Sequence, residues 1–136
     1  MIDLLRARRD ARRAQRQARE AQATARLAEI AADEAEEARD RALDAAARTA
    51  LLLAAEYIER HGWIQGRMAS PEGLCAIGAL SKACDSSALR NDIYFAAVRR
   101  LRGEIDEGNV GQWNDQPGMR KEFVVAALRK AARLTT

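Results

Sequence analysis

Between Leu4 and Ala42 a small apolar residue recurs every three and four positions. Positions 4, 11, 18, 25 and 32 are Leu, Ala, Ala, Ala and Ala, and positions 7, 14, 21, 28, 35 and 42 are all Ala. In a heptad frame these are the a and d sites. Ala7, Ala11, Ala14, Ala18, Ala21, Ala25, Ala28, Ala32 and Ala35 then form one oligomer seam. The outer b, c and f positions are charged: Arg6, Arg9, Arg12, Arg13, Arg16 and Arg19 first, then Asp33, Glu34, Glu37, Asp40 and Asp44. Ala, Arg, Gln and Glu are strong helix formers. No Gly or Pro precedes Gly62. The pattern predicts one helix of up to about 60 residues, roughly 90 Å at 1.5 Å per residue. Pairs such as Glu37–Arg41 and Asp44–Arg48 are spaced to support it.

After Gly62 the pattern breaks into short amphipathic runs. Arg60-His61-Gly62 reads as a helix stop. In "SPEGLCAIGALSKAC", Ser70 reads as an N-cap with Pro71 in the first turn of a helix ending near Cys84. A third helix is expected from about Ser87 to Arg102, a loop over "DEGNVGQWNDQPG", and a final helix over "MRKEFVVAALRKAARL". No strand is expected. The predicted class is all-α: a coiled-coil type segment over residues 1–56, then a small helical domain over 57–136.

Composition sharpens this division. All six aromatic residues (Tyr57, Trp63, Tyr94, Phe95, Trp113 and Phe123) lie beyond residue 56. A core of large side chains can therefore form only in the second part, and at roughly 80 residues it is small. With a charged start and no apolar run, no secretory signal is expected. The most apolar stretch, Thr49–Ile58, is too short to span a bilayer and contains Glu56. Cys75 and Cys84 fall on opposite faces of one expected helix, so no disulfide is expected and the reading is of a reduced, cytoplasmic protein.

Charge decides orientation more than class. The net charge is only +3. Its placement is uneven: residues 1–26 hold eight Arg against three acids, and residues 27–48 hold seven acids against three Arg. An Ala seam buries little area but lets backbones approach closely. In an antiparallel pair centred near residue 22, the e position Arg8 meets Glu36 of the other copy and Gln15 meets Glu29. A parallel pair would align like charges. An antiparallel homodimer is the expected partner arrangement.

Candidate chemistry is sparse. One His, His61, and two separated Cys give no metal-ligand spacing, so no metal and no cofactor are expected. No phosphate-binding Gly motif is present. Cys75 near a helix start could be written as a nucleophile with His61, Asn114 or Asp115, but a buried Cys among small residues in "CAIGAL" is the simpler reading. No catalytic residue is assigned. Trp113 is expected to plug the small domain, with Asn114 or Asp115 capping the last helix. Those two residues are also the candidate binding loop. The stripe Arg6, Arg9, Arg12, Arg13, Arg16 and Arg19 is the candidate set of phosphate contacts.

Three segments, "HGWIQG" (His61–Gly66), "CAIGAL" (Cys75–Leu80) and "WNDQPG" (Trp113–Gly118), resemble an uncharacterised family of small domains found in actinobacteria and their phages. Its pattern is G-W-x-x-G, then C-x-x-G-A-L, then W-N-D before a final helix. The resemblance covers roughly residues 50–134 and implies a phage or actinobacterial source. It implies no activity. The expected function is a non-enzymatic oligomeric assembly or interaction module with an unidentified protein partner. The alternative is a nucleic-acid-associated accessory protein that uses the Arg stripe.

Overall fold

A computed structural model describes residues 2–133 and is all-α apart from one very short hairpin. Helix α1 (Ile2–His61) is continuous. Its composition explains the length, and Gly62 explains the stop. That residue takes φ +99°, and its N–H donates to Ile58 O at 2.9 Å. A left-handed residue at this position costs a glycine nothing.

The chain divides into two compact units, residues 1–40 and 41–136. In the first, every described residue is exposed. In the second, Ala47, Ala50, Leu51, Ala54, Ala55 and Ile58 of α1 are buried in the core. The part of α1 that sequence reading assigned to the coiled-coil segment through residue 56 therefore supplies a wall of the small domain. Leu51, Ala54 and Ile58 repeat at helical spacing on that inward face, and all three are fully buried. The expected Asp44–Arg48 pair is also diverted inward. Asp44 accepts from Arg100 at 2.6 Å, and Arg48 Nε donates to Ala132 O at 2.8 Å. Arg100 further donates to Ala131 O and Arg133 O, so two guanidinium groups meet the carbonyl end of the last helix.

The rest of the second unit follows as β1 (Ala69–Ser70), β2 (Gly73–Leu74), α2 (Ala76–Cys84), α3 (Arg90–Ile105), α4 (Val110–Asn114) and α5 (Lys121–Ala131). Leu80, Leu101, Val124 and Leu128 join α1 in the core. The two strands are antiparallel, with Ala69 opposite Leu74 and Ser70 opposite Gly73. This hairpin replaces the helix start expected at Ser70. The Ser70 hydroxyl accepts from Glu72 N and donates to the Glu72 carboxylate, forming a turn rather than a cap. Gly73 is the reason: a Cβ there would lie 2.4 Å from the Gly62 carbonyl carbon. The two glycines pack backbone to backbone, and a helix cannot run through the contact.

Cys75 takes the cap position instead. Its backbone is extended, and its Sγ accepts from Gly78 N at 3.3 Å. The third helix begins three residues later than expected and runs three residues further. Within the expected loop, Asn109 caps a short helix by accepting from Gln112 N at 3.0 Å. The cap of α5 is Arg120, which makes no side-chain cap bond. Asn114 and Asp115 do not cap that helix.

Candidate functional site

Asn114 is fully buried, and every hydrogen-bonding position of its amide is occupied. Its Oδ1 accepts from Trp63 Nε1 at 2.8 Å and from Ala76 N at 3.0 Å. Its Nδ2 donates to Ile64 O at 3.1 Å and to Asp115 Oδ1 at 3.0 Å. Around it, Gln65 Nε2 donates to the carbonyls of Asn114 and Gln116, each at 3.0 Å. Asp115 Oδ1 also accepts from Gly66 N at 2.9 Å. The Gly66 N–H, with the Asn114 amide, holds the Asp115 carboxyl below its usual pKa.

One side chain thus joins the segment after α1, the first N–H of α2 and the end of α4. These are the three segments singled out in the sequence, and the structure brings them together. Local structure explains the choice of residues. An asparagine presents one acceptor and one donor group on a short arm, so it can take an indole N–H and a backbone N–H while donating to a carbonyl. Neither Asp nor Leu of similar size can do this. Trp113 beside it is 8% exposed and Trp63 is half-buried against the core. Trp113 lies in the core as expected, while the Trp63 ring is held by its N–H as well as by packing.

As a binding loop the pair therefore splits. Asn114 spends its amide inside the fold. Asp115 is exposed and lines a shallow cleft of about 260 Å³ with Arg67, Met68, Cys75 and Ile77. That volume is below the roughly 300–1,000 Å³ of ordinary small-molecule sites. Cys75 is 6% exposed and shares the cleft with no His. Cys84 is buried as well, and burial pushes its thiol pKa up. Both cysteines are free. Gly78 makes room for the backbone that leads into the hairpin: a Cβ there would lie 1.8 Å from Met68 O.

Sequence reasoning missed Trp63, Gln65 and the Gly66 N–H as partners of the W-N-D loop. The signal available was the co-occurrence of the three segments, since each alone reads as a turn.

Among the described residues no group of three or more His, Cys, Asp or Glu side chains is placed to hold a metal ion, and no helix is long and apolar enough to cross a membrane. The Ala positions from Ala7 to Ala35 and the six Arg from Arg6 to Arg19 are all helical and exposed. Leu27 and Ile30 are exposed too, at 68% and 47%.

Comparison with known proteins adds one match. The model of a family of unknown function, DUF6197, matches residues 42–134. No curated protein and no solved structure matches the chain. The family match begins one residue after the start of the second compact unit and contains the three segments tied together by Asn114. The chain belongs to the DUF6197 family, a family of unknown function, through residues 42–134.

Proposed function

We propose that the protein is a non-enzymatic, cytoplasmic assembly module in which the N-terminal arm pairs with a second copy and the small domain meets a protein partner. In a phage, such a module would serve as a host-takeover factor or a small virion component. One observation carries this reading. Every described residue from Ile2 to Ala42 is exposed, on a helix with a regular Ala seam and opposite charge in its two halves. Long protein helices draw most of their stability from packing. A charge pattern that becomes complementary on reversal supports a second copy lying antiparallel. Surface ion pairs contribute about 0–1 kcal/mol each, so they select orientation while close Ala packing supplies contact.

The satisfied Asn114 network and the shallow cleft favour an interaction role over catalysis for the small domain. Substitution tests the pairing. Ala21→Glu and Ala28→Glu place charge on the seam and should dissociate the pair in sedimentation experiments. Arg12→Gln, on the outer face, should not. A monomeric wild-type protein at micromolar concentration would contradict the proposal.

A second reading rests on the exposed stripe Arg6, Arg9, Arg12, Arg13, Arg16 and Arg19. Six phosphate contacts to duplex DNA predict a log–log salt slope of about −5. Binding with that slope, lost on replacing the Arg residues, would favour a nucleic-acid accessory role. Salt-insensitive or absent binding leaves the assembly reading.

A further inference from the structure

Asp115 is an exposed carboxylate that the fold holds in one orientation. Its Oδ1 takes two bonds, from the Gly66 N–H at 2.9 Å and from the Asn114 amide at 3.0 Å. Asn114 is itself fully buried, with its amide pinned to Trp63, Ala76 and Ile64. Among the described residues Oδ2 accepts no hydrogen bond, and Asp115 forms no salt bridge. The Gly66 and Asn114 bonds hold the carboxyl below its usual pKa, so it is ionised at neutral pH. Most surface carboxylates give up side-chain freedom on meeting a cation. This one is already fixed by the residues behind it.

The cleft of about 260 Å³ that Asp115 lines is otherwise largely apolar, with Met68, Cys75 and Ile77 among its walls. A fixed carboxylate beside apolar surface suits a group with an apolar stem and a cationic head. Lysine fits it better than arginine. An arginine fork grips both oxygens of a carboxylate, and Oδ1 already holds two N–H groups. An ammonium is a point charge and needs one free oxygen. A water occupies about 30 Å³, so five heavy atoms of a lysine side chain have room. Arg67 is the one cation in the lining, and among the described residues it makes no salt bridge. Its charge opposes a cationic occupant and would suit an anionic one, so replacing it tells the two apart.

We propose that this cleft receives one lysine side chain of a protein partner, with its methylene stem on Met68 and Ile77 and its ammonium on Asp115 Oδ2. The proposal rests on the reading that the small domain meets a protein partner. Titration of the isotopically labelled full chain with the capped peptide acetyl-Gly-Gly-Lys-Gly-Gly-amide tests it, with backbone amide shifts as the readout. The expected result is a saturable shift of the Gly66 and Gly111 amides, both in the cleft lining, at millimolar peptide. Asp115→Asn keeps an oxygen for the Gly66 N–H and removes the charge, and should bind about tenfold more weakly. Met68→Ser alters a side chain that is 53% exposed, so the fold should hold while the stem loses its contact and binding weakens. Arg67→Gln should bind at least as tightly as wild type.

The absence of a saturable shift would overturn the proposal. So would equal binding of the counterpart peptide with norleucine in place of lysine, or undiminished binding by Asp115→Asn. Preference for the glutamate counterpart, lost in Arg67→Gln, would mark an anion site and also overturn it. Sedimentation reads the pairing of the arm separately, so failure of the cleft and failure of the assembly reading are distinguishable.

Discussion

Trp63 Nε1 donates to Asn114 Oδ1 at 2.8 Å, across 51 residues of chain. The same oxygen accepts the Ala76 N–H at the start of α2. Asn114→Ala would leave both donors, and the Ile64 carbonyl, without their partner. Unpaired buried groups cost about 1–3 kcal/mol each. The expected loss is about 3 kcal/mol or more, which for a unit of this size lowers Tm by more than about 10 °C. Thermal unfolding followed by circular dichroism at the aromatic bands checks this. A melting point within a few degrees of wild type would show that the network carries no such weight.

Trp113→Ala removes a nearly buried ring from the same neighbourhood and should cost about 3–5 kcal/mol. Denaturant titration would read the change as a lower midpoint, with helix α1 beyond the small domain retained.

Glycine positions should divide sharply. Gly78→Ala sets a methyl against the Met68 carbonyl, where backbone must move, and should destabilise the hairpin and α2 together. Gly103 lies inside α3 with nothing within 4 Å of an added Cβ. Gly103→Ala should stabilise by up to about 1 kcal/mol through helix propensity. Opposite shifts in Tm are expected, and equal shifts would contradict the geometry at Gly78.

The division into a long helix and a small α domain was legible because Ala, Arg and Glu spacing and the first Gly dominate local structure. The start of α2 was not. Ser70-Pro71-Glu72 has the composition of a helix N-terminus, yet the same residues make the turn of the hairpin. The Gly62–Gly73 approach decides between them, and it is a tertiary contact eleven residues long in sequence. The inward face of α1 was hidden for a similar reason. Ala47, Ala50 and Ala54 look like more of the Ala-rich arm, and only packing shows that they belong to the domain core. The Asn114 network could be read in part: three unusual segments in one order mark it, but the donors at Gln65 and the backbone of Gly66 and Ala76 carry no sequence signature.

Asp115 ties acid stability to this network. Its pKa is lowered in the folded chain, first by the Gly66 N–H and then by Asn114. Unfolded, it titrates in the ordinary aspartate range. The stabilisation is therefore fully present above that range and is lost as pH falls through the lower folded pKa. The side chain is solvent-exposed, so the effect is small. Denaturant midpoints of wild type and Asp115→Asn should differ above about pH 5 and converge toward pH 2. Parallel curves through that range would contradict the role assigned to the Gly66 contact.

Cys75 and Cys84 are both buried. Both thiols should alkylate slowly at neutral pH while the chain is folded and rapidly in denaturant. Cys75→Ala should keep partner binding. Fast modification of Cys75 in the folded protein would reopen the case for a catalytic thiol in the cleft beside Asp115.

Arm orientation is the point on which the assembly reading turns. Cross-linking between two single-cysteine variants, Arg8→Cys in one copy and Glu36→Cys in the other, on a background with Cys75 and Cys84 replaced by Ala, measures it. In an antiparallel pair centred near residue 22 these positions face each other. In a parallel pair they lie about 42 Å apart along the axis at 1.5 Å per residue. The expected result is a predominant 8–36 disulfide between copies. Products linking 8 to 8 and 36 to 36 in its place, or no cross-link at all, would contradict antiparallel pairing of the arm.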